Sequence, residues 1–116
     1  MHFKLIIAMV EDTKTKTVLE AAREAGAKGV TVLNQARGEG INPGKTFLGL
    51  SINSQVDVLL ILVEEHFSRQ VLETIARIGA FDESSGSGIA VQIDVEDAIG
   101  VSHQIKALRG DVEELL

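Results

Sequence analysis

Cysteine is absent from this 116-residue chain. That excludes a disulfide framework, thiolate catalysis and cysteine-ligated metal. Tryptophan and tyrosine are missing too, and the aromatics are four phenylalanines. Stacking platforms for single-stranded nucleic acid are therefore not expected. Positive charge is scarce, with 11 Lys and Arg against 17 Asp and Glu and a net charge of −6. A phosphate-binding stripe needs the opposite sign, so no nucleic-acid partner is expected. No apolar run is long enough to span a bilayer, and direct membrane insertion is not expected. The apolar start is interrupted by Lys4 and lacks a small-residue cleavage site. It reads as a strand rather than a signal peptide, and a cytoplasmic protein is the expectation. The chain's 45% hydrophobic content suits one domain over residues 1–116. Its core is small, and oligomer formation would help it.

What the chain does contain is an internal repeat. Val18-Leu19-Glu20 through Gly26-Ala27 matches Val71-Leu72-Glu73 through Gly79-Ala80. Upstream, Val10-Glu11 matches Val63-Glu64, and the apolar run Leu5 to Met9 matches Val58 to Leu62. A strand–helix unit thus occurs twice, each copy followed by another apolar run. The pattern is β-α-β-β-α-β, an α+β fold of the ferredoxin-like kind: a four-stranded antiparallel sheet with two helices on one face.

The near-continuous apolar run of Phe3 to Val10 predicts a strand buried on both faces. Asp12 or Thr13 can accept a helix-start N–H, and Val18, Leu19, Ala22 and Ala25 form the inward face of a helix that Gly26 can stop. Gly29 to Gln35 is the second strand and Val56 to Glu64 the third. Ser68 can cap a second helix, with Val71, Leu72, Ile75 and Ile78 inward and Gly79 at its end. Ile89 to Ile93 is the fourth strand. Asp94 then caps a short turn from Val95 to Ile99, and a weaker helix runs from Ser102 to Arg109. In this topology the sheet order is 4-1-3-2. The second strand ends, and the fourth begins, at the same end of the sheet on opposite edges, roughly 14 Å apart. The glycines near those ends, Gly38/Gly40 and Gly86/Gly88, could share a ligand only if two copies meet edge to edge, and a closed ring of such contacts makes one cleft per interface.

Several residues carry possible chemistry. Gly38 and Gly40 can present successive N–H groups to an anion, or can serve as an ordinary glycine-rich exit from a strand. Gly86-Ser87-Gly88 permits close approach to a ligand, or a tight turn before a strand. Arg37 can grip a phosphate or carboxylate in bidentate fashion, or pair with nearby Glu39. Lys106 and Arg109 are available on the terminal helix. The three histidines, His2, His66 and His103, lack ligand spacing, and no metal site is expected. Glu11, Asp12, Glu64 and Glu65 read as solvated strand ends that precede helices. No nucleophile–base pair is visible, so an enzyme is not expected. Phe47 and Leu48 in the long connection are an apolar tip that either packs down or meets a partner.

Taken in order, these segments resemble the P-II signal-transduction family. Gly29-Val30-Thr31-Val32 with Arg37-Gly38-Glu39-Gly40 resembles the family's strand entering its T-loop. Gly86-Ser87-Gly88-Ile89 resembles its B-loop, and Asp94-Val95-Glu96-Asp97-Ala98-Ile99 closely resembles its C-loop segment. The resemblance implies a homotrimer that binds AMP, ADP or ATP as an effector between subunits, with no obligatory cofactor. It implies effector contacts at Ile7, Gly29, Thr31, Arg37, Gly38, Glu39, Gly40, Leu62, Gly86, Ser87 and Gly88. It also implies a T-loop at about 37–55 that docks on a protein target such as a membrane transporter, through Phe47 and Leu48 here, and a C-terminal extension at about 94–116. The sequence departs from the family where phosphate-binding cations usually stand: Ser87 and Ile89 occupy the B-loop positions, and Gly100 and Ser102 follow the C-loop motif. Asn42 lies near the usual T-loop glutamine, and no tyrosine exists for modification. The expected function is a divergent P-II-like regulator. The alternatives are a CutA-like trimer without nucleotide binding and a small enzyme using the inter-subunit cleft.

Overall fold

The computed structural model describes residues 1–37, 46–47, 50–51, 55–83, 88–103, 105–106 and 109–110. In chain order the elements are β1 (Phe3–Glu11), a 3-10 turn (Asp12–Lys14), α1 (Thr15–Glu24), β2 (Val30–Ala36), β3 (Thr46–Phe47), β4 (Leu50–Ser51), β5 (Val56–Glu64), α2 (Glu65–Ile78) and β6 (Gly88–Asp94). The main sheet has the order β2-β5-β1-β6, with every neighbouring pair antiparallel. This is the ferredoxin-like arrangement that the repeat predicts. The small β3–β4 ladder, Thr46 opposite Ser51 and Phe47 opposite Leu50, is an addition within the connection between β2 and β5.

Side-chain alternation along the strands decides where the core sits. Ile6, Ala8 and Val10 of β1 and Leu59, Ile61 and Val63 of β5 are buried against Val18 and Ala22 of α1 and Val71 and Ile75 of α2. Both helices therefore lie on one face. Each fully buried aliphatic side chain of this kind contributes about 1.5–3 kcal/mol. The expectation that β1 is buried on both faces is met on the helix side only. Leu5, Ile7 and Met9 point the other way and are half-buried, because no further layer among the described residues lies over them.

The helices are pinned to each other reciprocally. Gln70 Nε2 of α2 donates to the Ala25 carbonyl beyond α1 at 2.6 Å, and Lys14 Nζ before α1 donates to the Gly79 carbonyl beyond α2 at 3.2 Å. Each satisfies a carbonyl that a helix end leaves open.

Local details depart from the sequence reading at the helix ends. No side chain caps α1; the 3-10 turn at Asp12–Lys14 leads into it instead. Helix α2 starts at Glu65, three residues before Ser68, because the Glu64 carboxylate accepts the His66 N–H at 2.8 Å. Ser68 is buried and donates to the Glu65 carbonyl at 3.0 Å. Gly26 takes φ +126° after α1, but Gly79 is still helical at φ −77° and Ala80 takes the left-handed turn at φ +54°. The second glycine is required for packing: a Cβ there would enter the Phe81 ring. Residues 95–99 form no helical turn, and the Asp94 carboxylate turns to Lys4 rather than capping one. Ser102, His103, Ile105, Lys106 and Arg109 are helical, as expected for the terminal segment.

Gly88 opens β6 at φ +154°, and a Cβ there would lie 2.7 Å from the Met9 carbonyl oxygen and inside the Phe81 ring. Gly88→Ala should therefore cost about 1–3 kcal/mol through overpacking. Gly100 has φ +85° with nothing within 4 Å of the added carbon, so Gly100→Ala should cost only the left-handed penalty of roughly 1 kcal/mol. Denaturation midpoints of the two variants check the ranking; equal midpoints would show that Gly88 is not sterically required.

Candidate functional site

The face of the sheet turned away from the helices is apolar and, among the described residues, uncovered. Its rows follow from strand register: Leu62, Leu5 and Ile93; then Thr31, Leu60, Ile7 and Val91; then Leu33, Val58, Met9 and Ile89. Leu33 is 50% exposed, Val91 43% and Ile93 49%. Of the expected effector contacts, Ile7, Thr31 and Leu62 fall on this face, with Thr31 exposed at its β2 margin. Gly29 stands just before β2, at the end of the sheet opposite to Arg37 and Gly88. Gly38, Glu39, Gly40, Gly86, Ser87 and Leu48 lie outside the described residues. Phe47 pairs with Leu50 in the β3–β4 ladder.

Arg37 and Gly88 are level, as the topology predicts. Ala36 pairs with Val56, Val56 with Glu11, and Gly88 with Val10. They sit at the same end of the sheet but on its two outer strands, so one chain does not bring them together. Open grooves among the described residues on the helix side include one at each sheet edge. The one between α2 and β6, about 270 Å³, has Leu72, Ala76, Phe81 and Ala90 along it and Arg69 and Glu73 among its polar residues. The one between α1 and β2, about 510 Å³, includes Lys16, Arg23, Val32 and Asn34.

The stem where β2 ends holds a polar cluster that sequence patterning missed. Asp57 is 7% exposed; its carboxylate accepts the Thr15 hydroxyl at 2.7 Å and the Gln35 N–H at 3.3 Å. Gln35 is left-handed at φ +61°, inside the register shift between Leu33 and Ala36. Such a conformation costs roughly 1–2 kcal/mol for a residue with a Cβ. Burying a carboxylate costs several kcal/mol unless hydrogen bonds compensate, and bonds to a charged acceptor contribute about 1.5–3 kcal/mol each. The available signal was Asp57 itself, the one charge between Val56 and Val63 in an otherwise aliphatic strand.

A second cluster sits at the other end of β5. Glu64 is 2% exposed, which corrects its reading as a solvated strand end. Its two oxygens are both engaged, one by the His66 N–H at 2.8 Å and one by His66 Nδ1 at 2.5 Å. The possible ligand atoms of Glu64, Glu65 and His66 lie within 4.8 Å of one another. The hydrogen bonds account for Glu64 as a helix cap, and no metal is needed to explain the group.

Asp94 shows the clearest electrostatic effect. Its hydrogen bond to Lys4 and the Lys4 charge hold its carboxyl below the ordinary value of 3.8, with a smaller contribution from His2 at 3.7 Å. A lowered folded-state value means that this contribution to stability is complete above the ordinary carboxylate range and is lost as pH falls below about 4 through the lowered value. Lys4→Met should raise the Asp94 titration midpoint, and His2→Ala should raise it less. Side-chain carboxyl titration by NMR checks both; an unmoved midpoint in Lys4→Met would remove the assigned cause.

No curated protein sequence matches the chain. Among solved structures, a protein of Thermus thermophilus described as PII-like is 25% identical, with a TM-score of 0.60 over 82% of this chain and 87% of that one. CPII of Thiomonas intermedia, a nitrogen regulatory PII-like protein solved with ADP, AMP and bicarbonate, is 18% identical, with a TM-score of 0.63 over 84% of this chain and 97% of that one. Its complex with ADP, AMP and acetate matches at 19% identity and a TM-score of 0.60, over 83% of this chain and 90% of that one. The similarity to CPII establishes shared fold. The profile of the family described as nitrogen regulatory protein P-II matches residues 3–104. Together with the antiparallel order β2-β5-β1-β6, that match shows that the chain belongs to the nitrogen regulatory protein P-II family.

Proposed function

We propose that the protein is a trimeric regulator that takes an adenine nucleotide between subunits and controls a protein target through the connection between β2 and β5. The observation that carries this reading is the uncovered apolar face of the sheet. A contiguous patch running across four strands is larger than scattered surface leucines and marks an interaction site. Its most economical cover is the same face of further copies. Closing the ring brings the β2 edge of one copy toward the β6 edge of the next, and so Arg37 toward Gly88 across a subunit boundary.

Thr31, exposed where the apolar face meets the β2 edge, offers a hydroxyl beside the aliphatic surface of Leu60 and Ile7. A flat base with polar edges suits such a margin. CPII, solved with ADP and AMP, shares the fold and makes adenine nucleotides the first ligands to try. The chain lacks cations at Ser87, Ile89, Gly100 and Ser102, where the family resemblance would place phosphate contacts. Fewer charge-assisted bonds to the β- and γ-phosphates follow. In this reading the protein is a cytoplasmic regulator rather than an enzyme. The target contact lies in the connection near Phe47 and Leu48, and a membrane transporter is the target class carried by the resemblance.

Light scattering should give a trimer, and Val91→Asp, which charges the β6 end of the middle row of the open face, should give folded monomers. Calorimetry should show ATP binding no more than about tenfold tighter than AMP, a gap of roughly 1.4 kcal/mol. A wild-type monomer at micromolar concentration would overturn the assembly and the site with it. A much larger preference for ATP would show that phosphate ligands exist elsewhere.

A further inference from the structure

We propose that the buried carboxylate of Asp57 is a joint that couples helix α1 to the stem of the β2–β5 connection, fixing the direction in which the chain leaves the sheet toward Arg37. Three elements meet at this one side chain. Asp57 belongs to β5, Thr15 is the first residue of α1, and Gln35 is the penultimate residue of β2. The carboxylate joins all three, through the Thr15 hydroxyl at 2.7 Å and the Gln35 N–H at 3.3 Å. Thr15 is itself buried.

The backbone makes the joint consequential. The ladder between β2 and β5 is regular from Val30 to Leu33, then slips before Ala36 pairs with Val56. Within the slip, Gln35 is held left-handed at φ +61° although it is not glycine. A strained backbone persists only where its surroundings over-determine it. The Asp57 acceptor is the side-chain contact that does so, and Arg37 follows two residues later. Thr15 and Gln35 share no hydrogen bond with each other. The carboxylate is thus a hydrogen-bonded route from the first turn of α1 to the β2 side of the stem, beside the Asp12 N–H bond to the Gln55 carbonyl on its β5 side. The joint stands on these contacts; its use in relaying an effector signal rests on the regulatory reading above.

Amide hydrogen exchange on the full-length protein tests it. Thr15→Val should speed exchange at the Gln35 and Ala36 amides about tenfold, while Ile6, Leu59 and Ile61 keep wild-type protection. Asp57→Leu should speed it further, and Asp57→Asn, which keeps a carbonyl acceptor, should change it little. Gln35→Gly relieves the left-handed strain, so Thr15→Val in that background should no longer affect Ala36. A general loss of stability would not be rescued in this way. Exchange at Gln35 and Ala36 that is indifferent to Thr15→Val and Asp57→Leu would overturn the joint. Exchange that responds as stated while AMP affinity in Thr15→Val stays at the wild-type value would establish the joint and remove its role in effector signalling.

Discussion

A sheet whose strands are apolar on both sides has two faces to cover, and the described residues supply a helical layer for one of them. Most of the architecture follows from that constraint. The alternation in β1 and β5 sends Ile6, Ala8, Leu59 and Ile61 beneath α1 and α2, where burial is complete. The other parity, Leu5, Ile7, Leu60 and Leu62, is just as hydrophobic and is left half-covered. Hydrophobic burial is roughly proportional to area removed from water, so an exposed aliphatic face is a standing drive toward association. The polar margin at Thr31 and the exposed Leu33, Val91 and Ile93 limit the surfaces on which association could act.

The second organising feature is the pair of buried carboxylates on β5. Asp57 lies near its start and Glu64 at its end, and each bonds the beginning of a helix: Thr15 for α1, His66 for α2. The positive end of a helix favours a carboxylate in just that place. One central strand thereby ties down the first turns of both helices, and the reciprocal bonds from Gln70 and Lys14 tie down their far ends. The two acids differ in what else they touch. Glu64 is closed upon a single neighbour, His66, whereas Asp57 also reaches the backbone of β2. That difference separates a structural cap from a coupling element.

The fold was legible because the repeat is written in residues that pack. Val18 and Val71, Ala22 and Ile75, and the aliphatic runs of β1 and β5 report their own burial through spacing. The ends of elements were less legible. Ser68 is a good cap by type, but Glu64 reaches the helix start first, and only the three-dimensional position of His66 shows it. Gly26 and Gly79 are equivalent in sequence and each makes room for an aromatic ring, Phe67 and Phe81, yet only Gly26 takes the turn conformation itself. Asp57 was visible as an odd charge in an apolar strand, but its partners, 42 and 22 residues away, were not. The family resemblance pointed to Ile7, Thr31 and Leu62 without revealing that they share one open face.

Effector site and assembly surface are, under the proposed reading, neighbouring parts of one surface. Ile7 and Leu60 stand in the centre of a row whose ends are Thr31 and Val91 on the two outer strands. A ligand resting on Leu60 and Thr31 removes from water part of the same patch that another subunit must cover. If the ligand contacts both subunits, it binds the assembled state better than the separated one and stabilises it by mass action. If it contacts one subunit alone, it competes with assembly for apolar area. The exposure of Thr31 at the β2 edge favours the first arrangement, because a polar group there can meet the ligand while Ile7 and Leu60 remain under the neighbouring chain. Nucleotide binding and subunit contact then reinforce each other, and the stem at Gln35 and Arg37, on the same strand as Thr31, lies in direct backbone continuity with the place where they meet.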